Sequence, residues 1–429
     1  MSSRQRLCVV GLDGVPIGLL ERLADEGVMP NIAARIEAGH LRSMRASLPE
    51  ISSVSWTSFM TGAQAGEHGI FGFTDIDPGT YELTFPNFAQ VETATLWDRL
   101  GKHGLTSVVL NQPATYPARS IPGVLVSGFV SIDLSRSVKP LRWLGSLRRQ
   151  GYRVDIDTAR ARGDHDWLFQ DLDYTLQARG AALGRLWDEV DWDFLQVVVT
   201  GTDRLYHYLW SAVEDSSHPR HQQALDYHRA VDRFVGKVWD RFAAENDEPE
   251  KRFWMLSDHG FCAIKQEVQI NAWLRERGYL AIDEGERDLR GIRPESRAFA
   301  LDPGRIHIHV RGRYARGGVT AEQVTSLKGE IADAFRSLRY HDEPVIRDVH
   351  DAADLYRGPC ADRGPDLVLL AHPGFDLKAS PTATEVFCRT DLVGMHTWHD
   401  AFLLAPYSID DEELWIGEIA GHLERGFGH

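Results

Sequence analysis

The sequence predicts an α/β fold with a mostly parallel central sheet that helices cover on both faces. Runs of β-forming residues alternate with helical patterns along most of the 429 residues, as expected when crossover helices connect parallel strands. Three apolar runs also end at or just before a carboxylate, at Asp13, Asp203 and Asp258. Because the carboxyl ends of parallel strands share one edge of a sheet, where ligands bind, we expect these side chains to lie close together.

The first predicted elements are a strand over residues 6–12, a helix near 17–26 and a second helix over 32–38 that ends at Gly39. Further strands are predicted at 107–110, 123–127, 194–200, 252–256, 305–310 and 366–370, and a helix at 321–338. The segment 131–191 is helical and charged, and residues 281–350 mix strands with a helix. We therefore predict a core formed by 1–130, 192–280 and 351–429, a helical cap insertion at 131–191, and a small α+β lobe at 281–350.

Composition excludes several classes of protein. The formal net charge of −15 argues against a general nucleic-acid surface, which needs a basic footprint. No apolar run reaches the length of a membrane span, about 18 residues, and the apolar stretch near the N-terminus is interrupted by Asp13 and Pro16, unlike a signal peptide. The four cysteines show no paired spacing, which favours reduced thiols and a cytoplasmic location. A homo-oligomer is left open.

Two acidic and imidazole pairs follow predicted strands. Asp203 and His207 would lie one turn apart on the same face of a helix, and Asp258 and His259 are adjacent in a turn. Taken separately, each pair has an ordinary alternative, an exposed helix pair or a turn-forming Asp before Gly260. Their shared position after strands favours metal binding, by one cluster that serves one or two ions.

A polar, His-rich turn at 394–400 precedes another apolar run and can supply a further ligand. His396 is the first choice and His399 the reserve, with an ordinary surface histidine as the alternative for either. Carboxylates and neutral imidazoles suit Zn²⁺, Mn²⁺ or Fe, whereas Mg²⁺ and Ca²⁺ prefer oxygen ligands alone. The arrangement is typical of a bimetallic hydrolase.

Residues 49–58 are rich in hydroxyl side chains that could act as a nucleophile. A hydroxyl beside a metal ion loses its proton more readily, so such a site needs no histidine base. The alternative is that Ser52 or Ser53 caps the helix predicted through 56–61. Both roles are compatible, because a helix N-terminus also binds phosphate through its free N–H groups.

Taken together, these motifs resemble the alkaline phosphatase superfamily, specifically its branch of type I phosphodiesterases/nucleotide pyrophosphatases and phosphohydrolases/phosphomutases. The resemblance covers most of the chain, and the order and spacing of its short motifs are jointly specific. The motifs are Gly11-Leu12-Asp13-Gly14, Met29-Pro30-Asn31, Trp56 through Gly62, Gly66-Glu67-His68-Gly69-Ile70, Asp203 with His207, Ser257-Asp258-His259-Gly260 and Gly394-Met395-His396.

The resemblance implies two divalent metal ions, with Zn²⁺ expected first and Mn²⁺ or Fe as alternatives. It assigns one ion to Asp203, His207 and His396, and the other to Asp13, Asp258 and His259. Ser52 would bridge both ions as the nucleophile, at a position where diesterase relatives usually have threonine, with Ser53 as the fallback.

The function implied is hydrolysis of phosphate diesters or nucleotide pyrophosphate-type bonds in a small phosphorylated substrate, through a phosphoserine intermediate. No Lys or Arg lies between Arg45 and Ile70, which favours diesters over the more highly charged monoesters. The alternatives are a phosphomonoesterase or phosphomutase, a phosphonate C–P hydrolase, and a metal-binding protein without turnover. Sulfatase activity is not favoured, because the x-Pro-x-Arg sequence required for formylglycine is missing after Ser52.

Five residues are predicted substrate contacts, with turn-forming or core roles as the alternative for the last three. They are Ser53, Ser55, Asn111, Tyr116 and Lys265. Ser55 occupies a position where nucleotide pyrophosphatases have an asparagine that contacts the phosphoryl oxygen. His68 resembles a recurrent family histidine and is expected to be structural rather than a metal ligand.

Overall fold

The structure, a computed structural model, describes residues 6–283 and 285–428. The strands are β1 (Leu7–Leu12), β2 (His40–Met44), β3 (Asp75–Ile76), β4 (Leu83–Thr84), β5 (Ser107–Gln112), β6 (Gly123–Ser127), β7 (Val138–Lys139), β8 (Phe194–Val199), β9 (Phe253–Leu256), β10 (Gly260–Ala263), β11 (Gln266–Gln269), β12 (Ala298–Leu301), β13 (Arg305–Ile308), β14 (Arg339–Tyr340), β15 (Glu343–Pro344), β16 (Ile346–Asp351), β17 (Leu367–Ala371), β18 (Phe375–Lys378), β19 (Phe387–Cys388), β20 (Gly394–Thr397) and β21 (Ala401–Ala405).

The α-helices are α1 (Ile17–Asp25), α2 (Pro30–Ala38), α3 (Ser52–Thr61), α4 (Ala65–His68), α5 (Leu96–Lys102), α6 (Leu144–Arg149), α7 (Thr158–Ala161), α8 (His165–Glu189), α9 (Gly201–Glu214), α10 (His221–Glu245), α11 (Ile270–Glu276), α12 (Ala321–Arg336), α13 (Ala352–Leu355) and α14 (Ile419–Arg425). Short 3₁₀ helices lie at Phe88–Gln90, Leu134–Arg136, Leu141–Trp143, Pro249–Lys251, Leu289–Gly291, Ala361–Arg363 and Ile416–Glu418. None of the helices in these described ranges is long and apolar enough to cross a membrane.

The chain forms two compact units. The first unit comprises Met1–Ala63, Asn87–Cys262 and His396–His429, and the second comprises Gln64–Pro86 and Ala263–Met395.

The first unit contains an eight-stranded sheet in the order β2-β21-β9-β1-β8-β5-β6-β7. The five strands from β9 to β6 are parallel to one another. The pairings of β2 with β21, of β21 with β9 and of β6 with β7 are antiparallel. Every side chain of β1 and of β8 is buried, as expected for parallel strands covered on both faces. The predicted fold class is confirmed.

The ends of the predicted elements differ from the observed ones mainly by one or two residues, the usual uncertainty at helix and strand ends. Two local differences matter for the site. Helix α3 begins at Ser52, and the N-cap position belongs to Ile51, so neither Ser52 nor Ser53 caps the helix. The segment Gly394–Thr397, expected as a turn, is strand β20.

The predicted cap, 131–191, lies within the first unit. It contains β7 and the helices α6, α7 and α8, and α8 packs against α9 and α10. Its role as a cap remains a prediction.

The predicted lobe at 281–350 is shorter than the observed second unit. Strand β17, expected in the core, pairs with β13 and β16 in the four-stranded sheet β12-β13-β17-β16. The segment 64–86 also belongs to this unit, where the Tyr81 hydroxyl lies 2.6 Å from Nε2 of His309. Strand pairing between distant segments sets these boundaries, and hydrophobic periodicity along one segment does not report such pairing.

Candidate active site

A first cluster of ligand side chains lies at the carboxyl ends of β1 and β9. It consists of Asp13, Asp258 and His259, whose candidate ligand atoms lie within 4.8 Å of one another. The Gly14 N–H donates to Oδ1 of Asp258 at 3.1 Å, and Trp56 Nε1 donates to Oδ2 of Asp13 at 3.1 Å. Gly14 has a φ of +71°, and a Cβ there would lie 3.3 Å from the His259 ring, so this tight turn favours glycine.

A second cluster lies at the N-terminal end of α9, after β8. Its members are Asp203, His207 and His396. Oδ1 of Asp203 lies 3.3 Å from Nε2 of His207 and 3.2 Å from Nε2 of His396. The two Nε2 atoms are 3.0 Å apart. Asp203 and His207 therefore meet through their i and i+4 positions on one helix, as expected.

The two clusters adjoin each other. The imidazole rings of His259 and His396 are stacked, with centroids 3.7 Å apart and planes inclined by 21°. All six predicted metal ligands therefore come together within the first unit, in two sets of three.

The ionisation properties of the first cluster reflect its burial. Burial raises the pKa of Asp13 well above its usual range, and the neighbouring Asp258 carboxylate raises it further. Burial also raises the pKa of Asp258 to about 7 and lowers the pKa of the His259 ring. Without a cation, this cluster therefore disfavours the charged form of every member.

The second cluster differs because cations or hydrogen-bond donors surround its single carboxylate. Burial favours a higher pKa for Asp203, but the adjoining His207 and the hydrogen bond from His396 hold this pKa well below the usual value. Burial, followed by the neighbouring His259, lowers the pKa of His396 to about 3. A neutral imidazole is the form that binds a metal ion.

The chemistry of these residues fits two divalent metal ions. Oδ2 of Asp258 is fully buried and receives no hydrogen bond of ordinary geometry from the described residues. Nδ1 of His259 lies 3.0 Å from the Gly260 carbonyl oxygen, and Nδ1 of His396 lies 3.0 Å from the Glu50 carbonyl oxygen. These contacts orient each ring and leave Nε2 for an ion, the usual support for a metal-ligating histidine.

Ser52 lies beside the first cluster, at the first residue of α3. Its Oγ is 3.1 Å from Nε2 of His259 and 3.4 Å from Oδ1 of Asp13. Helix α3 is fully buried and points its N-terminal end at this position, where unpaired N–H groups favour an anion. The hydroxyl is therefore placed between candidate ligands and at a site suited to a phosphoryl group.

Two further serines of α3 have different surroundings. The Ser53 Oγ is buried and makes no hydrogen bond with the described residues. The Ser55 Oγ accepts a hydrogen bond from the Ser47 N–H at 3.1 Å. Ser53 is thus available for a ligand contact, whereas Ser55 supports the preceding loop.

Asn111 and Tyr116, the remaining predicted substrate contacts in the first unit, have different surroundings. Asn111 has a φ of +64°, and its side chain donates to the Val198 carbonyl at 3.2 Å and accepts from the Tyr152 hydroxyl at 3.1 Å. The buried Asn111 and its bonds to distant segments agree with the alternative of a core role. The Tyr116 hydroxyl is buried and has no hydrogen-bond partner in residues 6–283 and 285–428.

Three other residues named from the sequence lie outside both clusters. Lys265 belongs to the second unit, where it forms an ion pair with Glu343. His68 is also in the second unit, is fully buried, and accepts a hydrogen bond from the Ile70 N–H at 3.1 Å, as a structural residue would. His399 is exposed and belongs to neither ligand set.

Sequence reasoning missed three side chains that support the clusters. Trp56 contacts Asp13, and Arg204 donates to Oδ2 of Asp203 at 2.9 Å. Arg204 also binds Asp155, from the predicted cap, with N···O distances of 2.7 and 2.9 Å. Two signals were present in the sequence: Trp56 begins one of the family-like motifs, and Arg204 directly follows a candidate ligand.

Comparison with known proteins identifies the family of the chain. Residues 7–400 match the family described as type I phosphodiesterase / nucleotide pyrophosphatase. A search of the curated proteins found no match.

Among solved structures, the chain is similar to phosphonoacetate hydrolase from Sinorhizobium meliloti 1021 in complex with phosphonoformate. The TM-score is 0.66 at 14% identity, covering 99% of this chain and 96% of that one. It is also similar to murine ectonucleotide pyrophosphatase / phosphodiesterase 5, inactive and in complex with AMP, with a TM-score of 0.58 at 12% identity over 99% and 95% of the two chains.

The family match spans nearly the whole chain, including all six candidate ligands, and the similar structures show the same fold. The chain therefore belongs to the type I phosphodiesterase/nucleotide pyrophosphatase family of the alkaline phosphatase superfamily and is a hydrolase that acts on phosphoric ester bonds.

Proposed function

We propose that this chain cleaves phosphate diesters or nucleotide pyrophosphate-type bonds with Ser52 as the nucleophile, through a phosphoserine intermediate. The observation that carries the proposal is the position of the Ser52 Oγ, 3.1 Å from Nε2 of His259 and 3.4 Å from Oδ1 of Asp13. A hydroxyl so close to ligand atoms of a metal site is poised for activation, whereas binding alone needs no nucleophile.

Two divalent ions would be held by the two clusters, one by Asp13, Asp258 and His259 and the other by Asp203, His207 and His396. When bound, they would supply positive charge that lowers the pKa of a hydroxyl and stabilises the phosphoryl oxygens in the transition state. The mixed carboxylate and imidazole ligands favour Zn²⁺, with Mn²⁺ or Fe as alternatives.

In the proposed reaction, the Ser52 Oγ attacks phosphorus, and its proton passes to solvent water as the new O–P bond forms. The bond from phosphorus to the leaving oxygen breaks, and the leaving group departs with its electron pair and takes up a proton. Water then attacks the phosphoserine and releases the second product, which restores the Ser52 hydroxyl. Two in-line displacements leave the configuration at phosphorus unchanged. The N-terminal end of α3 orients the phosphoryl oxygens.

The charge around the clusters favours a diester over a monoester. A monoester dianion benefits from an additional cation, but Arg204, the arginine beside Asp203, is already paired with two carboxylates. A diester monoanion makes no such demand. A phosphomonoesterase or phosphomutase activity is therefore the less favoured alternative on this site.

Phosphonate cleavage is the second candidate. The observation in its favour is the TM-score of 0.66 with phosphonoacetate hydrolase, against 0.58 with the murine pyrophosphatase/phosphodiesterase. The same nucleophile and metal ligands could act on a C–P bond. The activity test therefore includes a phosphonate.

The proposed location is the cytoplasm. In support, Cys8, Cys360 and Cys388 form no disulfide with the described residues. Cysteines outside disulfides are typical of a reducing compartment.

The test is a parallel assay of the Zn²⁺- and Mn²⁺-loaded protein with bis(p-nitrophenyl) phosphate, the p-nitrophenyl ester of thymidine 5′-monophosphate, p-nitrophenyl phosphate and phosphonoacetate. Acid quenching during turnover, followed by peptide mass spectrometry, would locate any phosphorylated residue. Diester turnover with the phosphoryl group on the peptide that contains Ser52 is the expected result. Faster turnover of the monoester or of phosphonoacetate would show that the proposed substrate class is wrong. Phosphorylation at Ser53 would show that Ser53, and not Ser52, is the nucleophile.

A further inference from the structure

The two oxygens of the Asp203 carboxylate have different partners, and Arg204 binds one of them. Oδ1 lies beside the two histidines of the second cluster, whereas Oδ2 accepts a hydrogen bond from Nη1 of Arg204 at 2.9 Å. Because a carboxylate held on one side can rotate little, this bond orients Oδ1 toward the site of the ion.

The same guanidinium is fixed from its other edge by Asp155. Nε and Nη2 of Arg204 both donate to Oδ2 of Asp155, at 2.9 and 2.7 Å. Asp155 is itself held, because its Oδ1 accepts the Ile156 N–H at 2.9 Å. The Arg204 guanidinium carbon also lies 4.2 Å from the centroid of the Phe129 ring, a cation–π contact.

These contacts are largely shielded from solvent. The side chains of Asp203, Arg204 and Asp155 are only 6%, 12% and 15% exposed, so their charges are weakly screened. A buried arginine between two carboxylates is costly to dislodge, because any loss of a partner leaves an uncompensated charge. A lysine offers one compact charge and cannot reproduce the fork that contacts both partners.

We propose that Arg204 is a positioning residue that couples the insertion 131–191, through Asp155, to the metal ligand Asp203. The inference rests on the proposed metal-dependent function. It goes beyond that function in naming the insertion as a part of the protein that controls how firmly the second cluster holds its ion.

The test measures Zn²⁺ affinity by competition with a chromophoric chelator in backgrounds that keep a single cluster. Asp258→Ala retains the second cluster and His396→Ala retains the first. Arg204→Lys is expected to lower Zn²⁺ affinity about 10–100-fold in the Asp258→Ala background and to leave it unchanged in the His396→Ala background. Asp155→Asn should lower the same affinity less, and adding it to Arg204→Lys should cost little more, because the two act through one contact.

Turnover of bis(p-nitrophenyl) phosphate in otherwise wild-type protein gives a second readout. Arg204→Lys should lower kcat at limiting Zn²⁺ and recover most of it when Zn²⁺ is raised, which a general folding defect would not show. The matched control is Arg185→Lys, in an exposed ion pair with Glu189 at 2.7 Å on a helix of the same insertion. This control should behave like the wild type.

Two results would overturn the inference: unchanged Zn²⁺ affinity at the second cluster in Arg204→Lys, or equal losses at both clusters together with a lower Tm. Either result is independent of the proposed substrate, because affinity is measured without turnover. If the wild type bound Zn²⁺ as described but hydrolysed no substrate, the proposed function would fail while the role of Arg204 could still be judged.

Discussion

The two clusters of candidate metal ligands have opposite charge arrangements. The first has two carboxylates and one histidine, all buried, and no ion pair with Lys or Arg among the described residues. The second has one carboxylate and two histidines, and Arg204 pairs with the carboxylate. The side chains of His207 and His396 are 21% and 14% exposed, whereas that of His259 is fully buried.

The two clusters therefore differ in how their negative charge is compensated. The first has two buried carboxylates and no ion pair with Lys or Arg among the described residues, so a cation or a proton must compensate their charge. In the second, Arg204 already compensates part of the charge of Asp203.

Ser52→Ala removes the hydroxyl beside the first cluster and should abolish almost all turnover. We expect kcat for the diester to fall by about 10⁴-fold or more, as found when a nucleophile is removed, while both ions remain bound. The measurement is kcat together with the zinc content of the protein. Ser53→Ala should cost about 10²-fold or less, and the exposed Ser211→Ala should be neutral. A larger loss of kcat in Ser53→Ala than in Ser52→Ala would show that Ser53 is the nucleophile.

His396→Ala should disable the second cluster alone. Loss of one of three ligands is expected to weaken Zn²⁺ binding there by about 10²–10³-fold, which corresponds to roughly 3–4 kcal/mol. Chelator competition would resolve one tight and one weak site. The nearby exposed His399 provides the control, and His399→Ala should retain two tight sites. Loss of a tight Zn²⁺ site in His399→Ala would show that His399 is a metal ligand.

In the metal-free protein, the ionised carboxylates of Asp258 and Asp203 should have opposite effects on the free energy of unfolding. Since the folded-state pKa of Asp258 is raised to about 7 from 3.8, the stability of the metal-free protein should fall as pH rises from about 4 to about 7. In metal-free protein at pH 8, Asp258→Asn should therefore raise the free energy of unfolding, by at most about 4 kcal/mol.

The pKa of Asp203 is depressed, so its carboxylate stabilises the fold above the usual Asp pKa and loses that effect as pH falls below it. Asp203→Asn should accordingly destabilise the metal-free protein at pH 8, by on the order of 1–3 kcal/mol. Urea unfolding of chelator-treated variants at pH 5 and 8 measures both effects. The comparison between the clusters would be wrong if the two variants shifted stability in the same direction.

Trp56→Phe gives the smallest effect. It removes the neutral N–H that donates to Asp13 at 3.1 Å but keeps most of the ring that packs in the core. We expect about a tenfold loss of Zn²⁺ affinity at the first cluster, at the lower end for an outer hydrogen bond to a ligand. Competition titration in the His396→Ala background would measure it. An effect as large as that of Arg204→Lys would show that a neutral donor serves as well as a charged one.

Much of the site could be predicted from the sequence because its ligands follow buried strands or share a helix face. The apolar runs of β1, β8 and β9 indicate parallel strands, and the residues after them must meet at one sheet edge. The i and i+4 spacing of Asp203 and His207 brings their side chains together within one turn. His396 lies on a different segment. The polar, His-rich character of that segment favoured it as a further ligand, and the resemblance to known phosphohydrolases assigned it to the set of Asp203 and His207.

Other features depend on contacts that no local pattern encodes. The extent of the second unit follows partly from the pairing of β17 with β16 and with β13, and β13 lies well before β17 in the chain. The direction of a side chain is also not encoded in a local pattern. The Ser55 hydroxyl accepts a hydrogen bond from the Ser47 N–H, whereas the Ser53 hydroxyl makes no hydrogen bond with the described residues.

The amino-acid sequence was sufficient for the parallel sheet and the strand-end carboxylates, because burial and periodicity act over neighbouring residues. Its short motifs, taken together, were sufficient for the resemblance to the family. Folding in three dimensions was needed to bring Asp155 to Arg204, 49 positions away. Such a contact arises from packing between distant segments, and its energy depends on the water that packing excludes.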